Sequence, residues 1–374
     1  MNILVIGNGF DLAHGLPTTY GDFLKYVAAF NRVKDSSKDM KSQYYSYFQL
    51  LKTAKPEIYD ELDKLIENNL WLRYFISIYE KRSIEGKNGW IDFESEISTV
   101  IQALDSARLT LNDHFKSNTT RAHLEQWQLN ILAPVFSKDG KIPDKRYIEF
   151  EKNTVSSKKE HAINDLNRLT RCLEIYLSDY ISIDNCKHLK DIAELEIDKV
   201  LSFNYTDTYK LLYDKSNGKI EYDFIHGKAD ISKDVNSCEL VLGIDEYLSG
   251  DEKNKDNAFI QFKKFYQRIY KGTGCLYIDW LNKRRITVKT PSNHDRTDLN
   301  IFIYGHSLDV TDADILSRLI MEKEAKTTIF YHKKESMGSH ISNLVKVIGE
   351  DELIKRTDGR NRTILFRQSS NEEA

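Results

Sequence analysis

Ile3-Leu4-Val5-Ile6 is a continuous aliphatic run that stops at Gly7. A short run without polar alternation suits a strand buried on both faces of a parallel sheet. Beyond the turn, Thr19 and Asp22 stand at capping-box spacing, and Phe23, Leu24, Tyr26 and Val27 recur behind them at helical intervals. This predicts a helix to about Val33. From about Lys34 to Asn185 the pattern is charged and mostly helical, with apolar residues three and four apart from Tyr59 to Tyr79 and from Trp90 to Phe115. Strand-like runs then return at Lys199 to Phe203, Tyr222 to Ile225, Leu240 to Ile244, Asn300 to Tyr304, Thr327 to Tyr331, Val345 to Ile348 and Thr363 to Phe366.

Short apolar strands alternating with helical stretches need crossover connections. They predict an α/β fold with a mostly parallel, Rossmann-like sheet and helices on both faces. Residues 1–33 and 197–368 are expected to form the nucleotide-binding domain, with a large helical insertion domain over 34–196. Composition agrees with a packed protein: 374 residues, 40% hydrophobic, with only 5 prolines and 17 glycines, enough to bury a sizeable core. A formal net charge of -3 provides no global basic field for nucleic acid or an anionic membrane. The four cysteines, Cys172, Cys186, Cys238 and Cys275, form no C-x-x-C pair. That spacing argues against a zinc site or a disulfide framework and fits a reducing compartment. With no signal-peptide core and no apolar run long enough for a membrane span, a cytoplasmic protein is expected.

Candidate chemistry gathers at the predicted strand ends. In Gly7-Asn8-Gly9-Phe10-Asp11 the glycines let backbone approach a phosphate, or simply make a tight strand-to-helix turn. Leu12 stands where a dinucleotide fingerprint has its third glycine. Asp11 would repel a phosphate, so it is expected to face a ribose hydroxyl, cap a helix or bind a basic neighbour. Asn204, within Ser202-Phe203-Asn204-Tyr205-Thr206-Asp207, can bind a ribose, orient water or cap a helix whose dipole Asp207 would favour. His226-Gly227 ends another strand, and a histidine there is either a proton carrier or a hydrogen-bonded structural residue. Gly305-His306-Ser307-Leu308 supplies close approach at Gly305 and a hydroxyl at Ser307 for a phosphate or ribose. Such a set makes one shared ligand crevice the economical reading.

These segments, from Ile6-Gly7-Asn8-Gly9-Phe10-Asp11-Leu12-Ala13-His14-Gly15 through Tyr20, with Phe203-Asn204-Tyr205-Thr206-Asp207, His226-Gly227 and Gly305-His306-Ser307-Leu308, resemble the bacteriophage abortive-infection family AbiH. Trp90-Ile91-Asp92-Phe93-Glu94 is similar to its W-x-D-x-E segment. The order of the motifs is also similar to sirtuin-like NAD-binding domains of antiviral defence. That resemblance implies an abortive-infection effector cleaving the N-glycosidic bond of NAD or a related nucleotide. Gly7 and Gly9, with Asn8, Phe10, Asp11, Gly305 and Ser307, would hold the dinucleotide. Asn204 would contact the nicotinamide-side ribose or position water, and His226 would be the base. Thr206 stands where the sirtuin-like pattern has an acid, leaving Asp207 as its substitute. The sirtuin zinc cysteines are absent, which points away from protein deacylation, and no structural metal is expected. A phage-derived trigger and self-association through the apolar faces of the helical block complete this picture.

Two further patterns support alternatives: a nuclease acting on tRNA or phage nucleic acid, or a non-catalytic nucleotide sensor. Asp92, Glu94 and Glu96 can hold magnesium or start a helix, with His114, Arg121, His123 and Arg168 as further polar residues. Lys263, Lys264, Arg268, Lys271, Lys283, Arg284, Arg285 and Lys289, interleaved with Tyr266, Tyr270, Tyr277 and Trp280, fit either a single-stranded nucleic-acid surface or a solvated helix.

Overall fold

The computed structural model describes residues 1–35, 43–84, 91–116, 124–136, 154–216, 218–289 and 298–370. They divide into two compact units, one of 1–18, 181–229 and 272–374, the other of 19–180 and 230–271.

The first unit is α/β. Its six strands are β1 (Asn2–Ile6), β2 (Lys199–Ser202), β3 (Glu221–Phe224), β4 (Leu299–Tyr304), β5 (Ala325–Tyr331) and β6 (Ile364–Gln368). They form one sheet in the order β3-β2-β1-β4-β5-β6, with every neighbouring pair parallel. Ile6 is level with Ser202 on one side and Tyr304 on the other, so the chain leaves three adjacent strands at one rim. The order reverses direction between β1 and β4, the place where open α/β sheets leave a crevice beyond the strand ends.

Burial explains the unbroken apolar run of β1. Ile3 and Val5 join a core with Leu201, Ile301 and Ile303. Helices Leu276–Lys289, Ala313–Ile320, Lys334–Ile348 and Glu350–Thr357 supply Trp280, Leu316, Leu344 and Leu353 to it. Leu4 and Ile6 pack on the opposite face with Phe10, Ile192 and Tyr209, contributed by Asn8–Ala13, Lys190–Ala193 and Thr208–Tyr213.

The other unit is helical. It contains Tyr20–Asp35, Gln43–Ala54, Pro56–Ile66, Leu70–Ile84, Phe93–Lys116, Gln126–Phe136 and Thr154–Ile175, then a π-helical turn at Tyr176–Tyr180. The N-cap half of the expected capping box is formed: the Asp22 amide donates to Thr19 Oγ1 (3.0 Å), and that hydroxyl donates to Asp22 Oδ2 (2.6 Å). Residues 230–271 belong to this unit, held by the buried Arg171, which donates to the carbonyls of Asp230 and Ile231 (3.1 Å each) and pairs with Glu174 (2.7 Å) and Glu61 (2.9 Å).

Two expected strands are corrected. Leu240 to Ile244 is buried extended chain in the helical unit, with a single bridge from Ile244 to Lys263; an apolar run of that length signals burial as much as pairing. Val345 to Ile348 closes the helix Lys334–Ile348, since four apolar residues in a row carry no period that separates strand from helix. A helix also begins at Asn8, directly after β1, rather than only beyond Thr19. Among the described residues no helix is long and apolar enough to cross a membrane.

Candidate active site

Three rim turns of the first unit meet beyond β1, β2 and β4. The glycines of two of them serve the meeting itself. A Cβ on Gly7 would lie 2.7 Å from the His306 Cα, one on Gly9 2.8 Å from the Gly305 Cα, and one on Gly305 2.0 Å from the Phe10 nitrogen. The Gly7 amide donates to the Tyr304 carbonyl (3.2 Å), the Gly9 amide to the Gly305 carbonyl (2.8 Å) and the Phe10 amide to the Gly7 carbonyl (2.8 Å). These three donors are therefore already engaged, which sets the turn apart from an open phosphate cradle, where backbone N–H groups point at the ligand.

The helix Asn8–Ala13 sorts the rest of the motif. Phe10 is fully buried and faces the core, against His14, Tyr304, Tyr209 and Tyr213. His14 donates from Nδ1 to the Phe10 carbonyl (2.7 Å) and accepts from the Tyr213 hydroxyl at Nε2 (2.7 Å), and burial lowers its pKa. It is a neutral structural histidine. Asn8 is exposed and accepts from Thr18 Oγ1 (2.8 Å).

Asp11 is turned the other way and is 1% exposed. Its Oδ2 accepts from Thr206 Oγ1 (2.5 Å), which itself accepts from Thr208 Oγ1 (3.1 Å), while Oδ1 has no hydrogen-bond partner among the described residues. Burial pushes this carboxyl up to about 6; Thr206, Thr208 and the nearby Asn204 amide pull it down, and the Asp207 charge pushes it up slightly. The threonine at position 206 thus binds an acid from the helix after β1. Since the folded-state pKa lies above the unfolded value, Asp11 favours folding at low pH, and that contribution is lost as pH rises through 6. Asp11→Asn is expected to raise unfolding free energy by about 2–3 kcal/mol at pH 8, with the gain gone below about pH 4. Urea unfolding across that range measures it; a gain that does not vary with pH would contradict the assignment.

Asn204 is 5% exposed, and neither its Nδ2 nor its Oδ1 has a hydrogen-bond partner among the described residues. It is no helix cap: the helix Thr208–Tyr213 begins after Asp207, whose side chain makes no capping bond and pairs with Lys228 (3.4 Å). The backbone of Asn204 is anchored, its amide donating to Ser202 Oγ (3.1 Å). Each buried unpaired polar group costs about 1–3 kcal/mol, a cost that an ordered water or a ligand would relieve.

His226 follows β3 and is 6% exposed, its ring edge-on to Phe203 (5.6 Å). Its Nε2 stands 3.4 Å from Asp312 Oδ1. On the far side of the same carboxylate, His306 Nε2 lies 3.5 Å from Oδ2, and Phe203 also packs on the His306 ring (4.3 Å). His306 and Asp312 are both more than nine-tenths buried. Ser307 is exposed, and its carbonyl accepts from Asn343 Nδ2 (2.9 Å). Of the sequence candidates, Asp11 and Asn204 are brought together, His226 joins the same rim, Asp207 and Ser307 lie at its exposed margin, and Phe10 leaves it. Sequence reasoning missed Asp312, His306 as a side chain, and the Thr206–Thr208 pair.

Several residues of the patterns behind the alternatives are paired within the protein, while Tyr270 is exposed. Glu94 pairs with the buried Lys264 (2.8 Å), Glu96 with Arg82 (2.6 Å), and Asp92 accepts from the Glu94 amide (3.1 Å), so these carboxylates start a helix and neutralise cations. Lys263 pairs with Glu246 (2.8 Å) and Arg285 with Glu322 (2.5 Å). Tyr277 and Trp280 belong to the sheet core and Tyr266 stacks on Tyr270 (5.8 Å). Arg168 binds Asp165 (2.7 Å) and the Glu67 carbonyl (2.6 Å). Trp90, Arg121, His123 and the side chains of His114 and Lys289 lie outside the described residues.

Residues 3–332 match the family described as bacteriophage abortive infection AbiH. No curated protein matches the chain.

Proposed function

For a chain that belongs to the bacteriophage abortive infection family AbiH, a family of antiphage defence, we propose that the rim of the sheet hydrolyses NAD or a related nucleotide at its N-glycosidic bond. The observation that carries this reading is the buried Asn204 amide beside the Asp11 carboxyl, close enough to lower its pKa, with no formed hydrogen bond at Asn204 Nδ2, Asn204 Oδ1 or Asp11 Oδ1 among the described residues. Together they need a ligand offering hydrogen-bond donors and an acceptor within one small group. A phosphate has acceptors only. A ribose diol or a carboxamide has both, so the sugar and nicotinamide end of NAD suits the set, in a crevice of the kind that binds dinucleotides in open α/β sheets.

Cleavage of a nicotinamide–ribose bond passes through an oxocarbenium-like state, as glycoside hydrolysis does. Asp11, largely ionised above pH 6, opposes the developing positive charge, which in a dry site is worth far more than in water. Asn204 holds the ribose or the attacking water, and His226 accepts the water proton. With the Gly7, Gly9 and Phe10 amides engaged, the phosphates fall to Asn8, Ser307 and the solvent-facing margin. Asp207, paired with Lys228, yields the acidic role to Asp11.

Purified protein incubated with NAD, with and without extract from phage-infected cells, is expected to release nicotinamide and ADP-ribose, read by chromatography. Parallel incubation with labelled RNA and DNA plus magnesium is expected to leave both intact. Absence of nicotinamide under both conditions overturns the proposal, and cleaved nucleic acid favours the nuclease alternative.

A further inference from the structure

We propose that Asp312 and His306 are positioning residues that fix which ring nitrogen of His226 carries the proton. The inference deepens the reading above and rests on His226 acting as the base. Its starting point is a backbone amide. The Leu308 N–H donates to His306 Nδ1 (2.9 Å), and an amide nitrogen can only donate, so Nδ1 is the lone-pair nitrogen and the proton of the neutral ring sits on Nε2. That N–H faces Asp312 Oδ2 at 3.5 Å. In the turn holding it, Gly305 and Leu308 are both at positive φ (68° and 58°) and Leu308 is fully buried.

Asp312 is thereby held by one oxygen, and its other oxygen stands 3.4 Å from His226 Nε2. A carboxylate oxygen accepts only, so the neutral His226 carries its proton on Nε2 and keeps its lone pair on Nδ1. Both separations are a few tenths of an ångström longer than a formed hydrogen bond, the range over which catalytic contacts tighten when substrate binds. Phe203, packed against both imidazoles, keeps them apart so that the carboxylate bridges them. In the reaction, the water oxygen bonds to the ribose carbon as the glycosidic electron pair leaves with nicotinamide. The water proton goes to His226 Nδ1 and then to solvent, while Asp312 stabilises the imidazolium without taking the proton.

The geometry makes an unusual demand on Asp312→Asn. His306 donates from Nε2 whatever stands opposite, so it selects the amide oxygen of the new side chain and leaves the NH2 facing His226. His226 must then accept at Nε2 and move its proton to Nδ1, losing its lone pair there with almost no change in shape. Removing His306 as well takes away the Nε2–H that selects the amide oxygen. His306→Asn keeps an acceptor for the Leu308 amide but has nothing that reaches Asp312, so the double variant is expected to recover activity that Asp312→Asn loses.

Nitrogen NMR of the full-length protein with labelled histidine, at mildly alkaline pH, reads the tautomer directly. The Nε2–H form of His226 is expected in the wild type and the Nδ1–H form in Asp312→Asn. In NAD cleavage, Asp312→Asn is expected to lose about 100-fold or more in kcat with KM within about threefold, and His306→Asn/Asp312→Asn to regain about tenfold over it, with thermal melts verifying the fold of each. A wild-type Nδ1–H tautomer, an unchanged tautomer in folded Asp312→Asn, or full kcat in that variant overturns the proposal. If the wild type cleaves no NAD, the catalytic reading fails by itself, and the ring nitrogens still decide whether Asp312 and His306 set the tautomer.

Discussion

Asn204→Ala is expected to reduce nicotinamide release by about 10³-fold while shifting the melting temperature by no more than a few degrees. The two effects separate because this side chain does little for the folded protein beyond easing the charge of Asp11. Its two polar atoms are buried without partners, so truncation deletes groups that were costing stability and offsets the packing they supplied. The local backbone keeps its anchor, since the bond to Ser202 Oγ comes from the main-chain amide. For the proposed reaction the same deletion removes a preorganised group from the oxocarbenium-like state. Loss of one such group typically costs about 3–4 kcal/mol of transition-state stabilisation, whereas a purely structural asparagine would lose stability and rate together. Initial rates with NAD and a thermal melt of the same preparation make the comparison. A folded Asn204→Ala protein with the wild-type rate removes this residue from the mechanism.

The rim was legible wherever chemistry follows directly from a strand end. β1 was readable because an aliphatic run closed by glycine is what a strand buried on both faces requires. Asn204 and His226 were readable because the last residues of parallel strands face one crevice. Asp312 was not, since it lies beyond its strand and acquires meaning only when the chain folds back to set its carboxylate between His226 and His306. Phe10 faces the core for a local reason. With the helix starting at Asn8, its side chain is rotated onto the face occupied by His14 and Tyr304, and Asp11 is carried to Thr206 instead. The basic stretch read as a surface because the acids that neutralise Lys263, Lys264 and Arg285 are remote in sequence. Partners of that kind leave no period in the chain.

Gly305→Ala is expected to destabilise the sheet unit by about 3–5 kcal/mol, lowering the melting temperature by about 10 °C. Two separate costs fall on this position. Gly305 has φ +68°, a conformation that an L side chain adopts only at about 1–2 kcal/mol. A methyl group there would also lie 2.0 Å from the Phe10 nitrogen and 2.4 Å from the Gly9 carbonyl carbon, and these are backbone atoms that no rotamer change can withdraw. Relief requires the turns after β1 and β4 to part, which breaks the hydrogen bond from Gly9 to Gly305 (2.8 Å) and shifts the start of the helix that carries Asp11. Gly359→Ala isolates the first cost, because that glycine has φ +71° with nothing within 4 Å of the added carbon. Gly7→Ala isolates the second, because its φ is -125° while its Cβ would meet His306 Cα at 2.7 Å. Gly359→Ala is expected to cost about 1 kcal/mol, Gly7→Ala more, and Gly305→Ala the most. Urea unfolding of the three variants orders them; a Gly305→Ala protein no less stable than Gly359→Ala would mean that the turns after β1 and β4 do not touch, and the turn carrying His306 would then not be held against the one that leads to Asp11.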